Sequence, residues 1–181
     1  DQDVLDLCCG NGIITQRYAP KCRSVRAIDF SEPLIEAARL HCGLVNISYE
    51  TGDVCNLADD IHMGHFDKRL MYDALQNFHP EQIEGVFSFM VNSASGGAPI
   101  LIASVPDQED MARFYDTDER RAEHAKRIAN GTDRMGRWWS RNELTDICAA
   151  HGYAVEFSRP HESLPVSHYR FDALCRPLKT L

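Results

Sequence analysis

The sequence predicts an α/β fold: a seven-stranded, mostly parallel sheet with an antiparallel last strand and helices on both faces. Short apolar runs alternate with segments of helical periodicity along most of the 181 residues, which is typical of a parallel sheet flanked by helices. The last two predicted strands, Tyr153–Ser158 and His168–Cys175, are joined by about nine residues without a helix. A parallel crossover needs a dozen residues or more, so these two strands are expected to be antiparallel.

The first half of the chain is predicted to alternate between strand and helix. The first helix is expected over Gly12–Tyr18. The second begins after Ser31, which can N-cap it, and ends at Gly43. A short helix is expected at Leu57–Ile61, in a polar and otherwise irregular stretch. The four strands predicted here are Val4–Leu7, Ser24–Phe30, Ile47–Thr51 and Phe66–Tyr72.

The second half continues this alternation and then departs from it. A helix over Pro80–Ala94 precedes the fifth strand, Ile100–Val105, and a further helix is expected over Arg141–His151. Residues 106–139 lie between that strand and that helix, and the stretch Gln108–Asn130 within them is rich in charged residues, so we expect a helical insertion that acts as a lid. The helix before the fifth strand carries apolar residues at helical spacing: Ile83, Val86, Phe87 and Met90.

Composition restricts the function classes. The 19 basic and 27 acidic residues give a net charge of −8, which argues against an extended nucleic-acid interface. Apolar runs are too short to span a bilayer, so no membrane partner is expected. The seven cysteines include no CxxC pair, which argues against a disulfide framework or a metal site and fits the cytoplasm. We expect a single domain over 1–181, from which an N-terminal segment is missing because the chain lacks a starting Met.

The first twelve residues, DQDVLDLCCGNG, carry the strongest functional signal. A short apolar run leads into Gly10-Asn11-Gly12 and then into the predicted first helix. Glycines let the backbone approach a ligand closely, and the free N–H groups of a helix N-terminus face a negatively charged group. This pattern predicts a ligand pocket at the end of the first strand.

Three more strands end in suitable residues. The carboxyl ends of parallel strands form the ligand-binding edge of such a sheet. Asp29 ends the second strand, nineteen residues after Gly10, where a carboxylate can accept hydrogen bonds from both hydroxyls of a ribose. Asp53 and Val54 follow the third strand, where the carboxylate can accept from the amine of adenine or simply cap a helix. Met71 and Tyr72 end the fourth.

With these residues in this order, the chain resembles the class I S-adenosylmethionine (SAM)-dependent methyltransferases over essentially its whole length. VLDLCCGNG, AIDFSEPLIEAAR, GDV and FDKRLMYDALQNF resemble the family's first four motifs. The resemblance implies a Rossmann-like seven-stranded sheet with an antiparallel last strand, SAM as the cofactor and S-adenosylhomocysteine (SAH) as the product. Three further stretches, MYDALQNF, GRWWSRNEL and LPVSHYRFDALC, resemble small bacterial methyltransferases of surface-polysaccharide or secondary-metabolite pathways.

The resemblance also implies roles for individual residues. Asp29 would bind the ribose, with Phe30 against the adenine, while Asp53 and Val54 would bind the adenine and Met71 and Tyr72 would lie near the sulfonium. Cys8 departs from the family pattern, because the first of three glycines usually stands at this position. The methionine end of SAM would be held by Asp6, Cys8, Gly10, Asn11 and Gly12.

The acceptor pocket is expected where other segments overhang the same edge of the sheet. These are the insertion, the segment after the fourth strand and the start of the last strand. If the acceptor must lose a proton, a base is needed, and the candidates are His168, His79 and, less favoured, His161. Each is more often a structural or surface histidine. Arg170 and Asp172 share one face of the last strand and are expected to pair with each other.

The predicted reaction is methyl transfer from SAM to a hydroxyl or amine of a small molecule, such as a sugar, a polysaccharide precursor or a secondary metabolite. No Asn-Pro-Pro-Tyr segment follows the fourth strand, which argues against methylation of nucleic-acid bases. Two alternatives stay open. One is a dinucleotide-dependent oxidoreductase, although Thr15 stands where its fingerprint needs a third glycine. The other is a SAM-binding partner subunit without catalysis. The sequence predicts no oligomeric state.

Overall fold

The computed structural model describes residues 2–56, 65–93 and 97–178, and the helix expected at Leu57–Ile61 lies outside them. Within these residues seven strands form one sheet in the order β3-β2-β1-β4-β5-β7-β6. β7 is antiparallel to both neighbours, and the other pairs are parallel, which confirms the predicted fold class. The strands are β1 Asp3–Leu7, β2 Ser24–Asp29, β3 Ile47–Thr51, β4 Lys68–Tyr72, β5 Ile100–Pro106, β6 Tyr153–Ser158 and β7 Arg170–Pro177.

The first helix is shorter than predicted. The expected helix over Gly12–Tyr18 is a single α-helical turn, because Gly12 has a φ of 75° and a right-handed helix cannot include that conformation. A 3₁₀ turn, Ala19–Lys21, follows it. The helices are α1 Thr15–Tyr18, α2 Glu32–His41, α3 Pro80–Asn92, α4 Met111–Phe114, α5 Asp118–Ala129 and α6 Arg141–Ala150.

Apolar cores lie on both faces of the sheet. On one face, the buried side of α3 packs with α6 against residues such as Leu5 and Ile102. On the other face, α2 packs through Ile35 and Ala38 against Val25 and its neighbours. The alternation of the strand residues between these two cores follows from the two-residue period of a strand. All four apolar residues predicted for the buried side of α3 are fully buried: Ile83, Val86, Phe87 and Met90.

The segment 106–139 is partly helical, as predicted, but it is broken into pieces. A 3₁₀ turn, Gln108–Asp110, leads into α4, and α5 starts separately because Thr117 N-caps it with a 3.2 Å bond from Arg120 N. Among the described residues, no helix is long and apolar enough to cross a membrane.

Aromatic side chains attach this segment to the sheet. Phe114 and Trp138 pack around Tyr169, just before β7, with ring centroids 4.5 and 6.0 Å from its ring. Trp139 is fully buried in the main core and donates from Nε1 to Leu75 O at 3.0 Å. The two tryptophans therefore contact different parts of the protein, as adjacent residues in an extended segment do. The segment lies over the carboxyl edge of the sheet.

Candidate active site

The strand order reverses at β1, which has β2 on one side and β4 on the other. In a parallel sheet with helices on both faces, the crevice at such a reversal is the place where ligands bind, because the loops diverge to opposite faces there. The turn after β1 therefore lies at this crevice.

The turn after β1 contains three residues with left-handed backbone: Cys8 at φ 60°, Gly10 at φ 56° and Gly12 at φ 75°. A Cβ atom on Gly12 would lie 2.4 Å from the hydroxyl oxygen of Tyr49, so no side chain fits there. Among the described residues, a Cβ atom on Gly10 would meet nothing within 4 Å. Gly12 thus packs tightly against Tyr49 of β3, whereas the space over Gly10 is open to a ligand.

Cys8 adopts a conformation that favours glycine, and it stands at the position where the related motif usually has one. For a residue with a Cβ atom this conformation costs about 1 kcal/mol. Burial, with the neighbouring charge of Asp29, raises the pKa of the Cys8 thiol, and burial also raises that of Cys9. Neither cysteine is therefore a thiolate at neutral pH, which argues against a nucleophilic role.

Asp29 links the turn after β1 to the start of α2. Its Oδ2 accepts from Gly10 N at 2.8 Å and its Oδ1 accepts from Ser31 N at 2.9 Å. The residue is only 5% exposed, but each carboxylate oxygen retains a further lone pair. Phe30, next in the chain, is 76% exposed at the same edge. A fixed carboxylate beside an exposed aromatic ring is suited to a ribose that carries a flat base.

Asp53 forms a local turn after β3. Its Oδ1 accepts from Cys55 N at 2.9 Å and its Oδ2 accepts from the side-chain amide of Asn56 at 2.6 Å. Val54 is buried and belongs to the main core. The end of β3 is brought to Asp29 by a bond from Gly52 N to Asp29 O at 2.9 Å. Asp53 thus acts as a turn cap in this structure and directly follows Gly52, the residue that is bonded to Asp29.

Three of the predicted cofactor residues have surroundings that restrict their roles. The side chain of Met71 is fully buried in the main core, so it contacts core residues. Tyr72 is half-buried at the end of β4, and Asn11 is exposed at the tip of the turn, where its Oδ1 accepts weakly from Ile13 N at 3.4 Å. Of these three, Asn11 and Tyr72 have surface at the carboxyl edge of the sheet.

Asp6 is almost completely buried and is already engaged by α1. Its Oδ2 accepts from Thr15 Oγ1 at 2.6 Å and from Tyr18 OH at 2.7 Å. Burial raises the pKa of Asp6 to about 6, although the two hydroxyl groups partly oppose the shift. This carboxyl group therefore anchors α1 beneath the glycine turn, and any contact with the methionine end of SAM would be indirect.

The raised pKa of Asp6 predicts a pH-dependent difference between the wild type and Asp6→Asn. The folded state holds the proton of Asp6 up to about pH 6, whereas the unfolded chain releases it near 3.8. Stability is therefore lost as the pH rises from 4 to 6, by up to about 3 kcal/mol. The asparagine variant lacks this loss and is expected to gain stability over the wild type between pH 4 and pH 7. Urea denaturation at both pH values measures the difference, and Asp53→Asn is the control. A difference that stays constant with pH would contradict this account.

The ion pairing on the acceptor side of the edge differs from the prediction. Arg170, at the start of β7, was expected to pair with Asp172, but its Nη1 bonds to Asp73 Oδ1 and to Ser104 O. Asp172 Oδ1 instead accepts from Ser104 N at 2.8 Å. The cause is an irregularity in β5 between Ile102 and Val105, which turns the backbone of Ser104 toward both side chains.

Asp73 and Ser104 are not among the residues predicted from the sequence. Both have left-handed backbone, at φ 53° and φ 62°, directly after β4 and near the end of β5. With Cys8 they are the three non-glycine residues with positive φ in the described part of the chain, and all three lie at the carboxyl edge of the sheet. Such conformations cluster at functional sites. No local sequence pattern predicts them.

The predicted histidines are exposed and separate. His79 is the N-cap of α3, where its backbone N donates to Gln82 Oε1 at 2.9 Å. His168 is exposed, with its ring 4.8 Å from that of Tyr169. His161 Nδ1 is bonded to Ser163 Oγ at 2.8 Å. His124, which the sequence analysis missed, is buried and stacked on Tyr115 at 3.9 Å. Its position in a strongly charged segment gives no sequence signal that sets it apart from the solvated residues around it.

Comparison with known families agrees with this geometry. A family model described as a methyltransferase domain matches residues 4–95, which contain β1 to β4 and the turns described above. The chain belongs to this family, and thereby to the class I SAM-dependent methyltransferases. SAM is accordingly its cofactor. This assignment replaces the alternative of a dinucleotide-dependent oxidoreductase.

The individual relatives have low sequence identity to this chain. Malonyl-[acyl-carrier protein] O-methyltransferase of Bacillus anthracis is 28% identical over 156 residues, which are 80% of this chain and 52% of that protein. The chain thus spans about half the length of this curated relative. A SAM-dependent methyltransferase structure from Methanosarcina mazei has a TM-score of 0.74 at 14% identity, with 99% and 94% of the two chains covered. The structure of magnesium protoporphyrin IX methyltransferase from Synechocystis with bound SAH has a TM-score of 0.69 at 15% identity. The match covers 96% of this chain and 73% of that one. At these identities the two structures support the fold.

Proposed function

We propose that this protein transfers the methyl group of SAM to a hydroxyl or amine of a small molecule. The observation that carries the proposal is the Asp29 carboxylate, held by Gly10 N and Ser31 N beside the open space over Gly10. This arrangement fits the ribose of SAM, because the carboxylate is already oriented and retains acceptor capacity. The turn of Gly10 to Gly12 would hold the methionine end.

The chain's own residues would do little covalent chemistry. SAM, when bound, supplies a methyl group that its sulfonium has already activated. The protein has to align the acceptor with that group and exclude water. The segment 106–139, packed on Tyr169 through Phe114 and Trp138, would cover the edge and close the site over the acceptor.

Several observations support a small acceptor. The net charge of −8 disfavours nucleic acid. A cavity of about 690 Å³, within the range of small-molecule sites, lies between α5, the loop after it and Arg170. The relative from Bacillus anthracis is named an O-methyltransferase, which supports an oxygen acceptor. A sugar, a polysaccharide precursor or a secondary metabolite would each offer a hydroxyl group.

A hydroxyl acceptor would need a base, and we assign this role to His168 or His79. His168→Gln or His79→Gln is expected to lower kcat by roughly 10²–10⁴ and to leave the affinity for SAH unchanged, because general-base catalysis contributes about that factor. Formation of SAH from SAM with fractionated small-molecule extracts measures turnover. His41→Gln, at the end of α2, is the matched control.

The outcomes separate the alternatives. If neither histidine variant lowers turnover, the histidine base is wrong, and the acceptor reacts without one. If the wild type binds SAH but never forms it from SAM with any fraction, the protein is a binding subunit without catalysis, and the proposed function is wrong.

A further inference from the structure

The guanidinium group of Arg170 is buried and incompletely hydrogen-bonded. Its side chain is 8% exposed, and Nη1 is fully used by Asp73 and Ser104. Among the described residues, Nε has no hydrogen-bond partner, and Nη2 contacts only the sulfur of Met135, at 3.8 Å. Arginine has five N–H donors, and buried donors without an acceptor are costly. The side of the guanidinium group formed by Nε and Nη2, its free edge, therefore requires an explanation.

Arg170 lines the cavity between α5, the loop after it and the start of β7. Arg134 lines the same cavity; it is exposed and makes no hydrogen bond or ion pair within the described part of the chain. The other two arginines of the cavity are neutralised, Arg120 by Asp116 and Arg127 by Glu123. Arg170 and Arg134 therefore both line the cavity and both have N–H donors without a hydrogen-bond acceptor among the described residues.

The acidic side chains of the cavity do not satisfy those donors. Glu119, at the start of α5, forms no ion pair with Arg134 or Arg170 among the described residues, and the backbone N–H and Thr117 beside it lower its pKa. Glu123 is paired with Arg127 at 3.0 Å. Asp133 also lines the cavity, but it forms no ion pair with either Arg134 or Arg170 among the residues described. An acceptor oxygen for the free edge of Arg170 has to come from elsewhere.

The position of this edge connects it to methyl transfer. Asp73, the ion-pair partner of Arg170, directly follows Tyr72 at the end of β4, which lies beside the β1 turn in the sheet. Through Asp73, Arg170 is therefore anchored at the same carboxyl edge of the sheet as the place proposed for the methyl group. Met135, an unbranched and flexible side chain, is the group that would have to move aside from Nη2.

We propose that the cavity is the acceptor pocket and that it selects an acceptor with an anionic oxygen group, such as a carboxylate, which Arg170 and Arg134 bind. The planar edge of a guanidinium group matches the two oxygens of a carboxylate, which favours this chemistry over a neutral hydroxyl or amide. This inference rests on the proposed function, since it names the substrate class of that reaction.

The test is a calorimetric titration of the SAH-loaded protein with succinate, with the neutral analogue succinamide in parallel. Arg170→Lys keeps a positive charge beside Asp73 but removes the free edge, so it is expected to weaken succinate binding roughly tenfold or more. Arg134→Gln, at an exposed position, is expected to weaken it roughly threefold. Arg176→Lys, on β7 and paired with Glu156, is the control and should bind like the wild type.

Equal binding of succinate and succinamide by the wild type would overturn the inference, and so would an Arg170→Lys variant that binds succinate as the wild type does. SAH affinity, measured first on every variant, separates this result from the proposed function. If the wild type does not bind SAH, the proposed function is contradicted. If it binds SAH but does not prefer succinate to succinamide, only the anionic acceptor is contradicted.

Discussion

Asp29→Ala is expected to weaken the binding of SAH by roughly a hundredfold or more. Two hydrogen bonds from the ribose to a charged carboxylate contribute about 1.5 kcal/mol or more each, and their loss adds up to that factor. The substitution also removes the acceptors of Gly10 N and Ser31 N, which loosens the turn after β1. Isothermal titration calorimetry with SAH measures the change.

Glu156→Ala provides the matched control for Asp29→Ala. Glu156 is an exposed acid on β6, paired with Arg176 and distant in the sheet from β2. Its removal changes the net charge by the same amount and is expected to leave SAH affinity unchanged. An Asp29→Ala variant that retains wild-type affinity, while it folds normally, would show that the cofactor is not held at the end of β2.

Gly12→Ala is expected to abolish SAH binding and to lower the free energy of unfolding by about 2–4 kcal/mol. The new Cβ atom would lie 2.4 Å from the hydroxyl oxygen of Tyr49, and overpacking a buried site costs about 1–3 kcal/mol. The left-handed φ of 75° adds about 1 kcal/mol for a residue with a Cβ atom. Urea denaturation and SAH titration measure the two effects.

Two other glycines separate the causes of this effect. Gly131 has a φ of 63°, and a Cβ atom there would meet no described atom within 4 Å, so Gly131→Ala is expected to cost only the backbone strain, about 1 kcal/mol. Gly10→Ala has a similar φ and no clash, and it is expected to weaken SAH binding more than stability, because its Cβ atom would occupy the ligand space. A Gly12→Ala variant no less stable than Gly131→Ala would contradict the packing role assigned to Gly12.

Most of the fold could be predicted because its determinants are local. Alternating apolar patterns identify β1 to β6, and the length of the last loop alone predicts that β7 is antiparallel. The edge of the sheet that contains Asp29 follows from the strand directions. The predicted length of α1 was wrong because Gly12 has a left-handed φ, in a turn that packs beside Tyr49, 37 positions away in the chain.

The acceptor side could not be predicted in the same way. Arg170 pairs with Asp73, and Asp172 with Ser104, because the irregular backbone of β5 brings these residues together across three strands. A two-residue period places Arg170 and Asp172 on one face but says nothing about partners on neighbouring strands. His124 and Arg134 lie in a charged segment. Its sequence resembles that of a solvent-exposed helix and does not indicate which side chains line a cavity.

The most direct test of the central claim, that SAM binds over the ends of β1 to β3, is a ¹⁵N–¹H correlation spectrum of the wild type titrated with SAH. Binding at these strand ends should give saturable shifts at the amides of Gly10, Gly12 and Ser31, while Val155 and Arg176, on β6 and β7, stay unchanged. Shifts confined to other parts of the chain, or none at millimolar SAH, would contradict it.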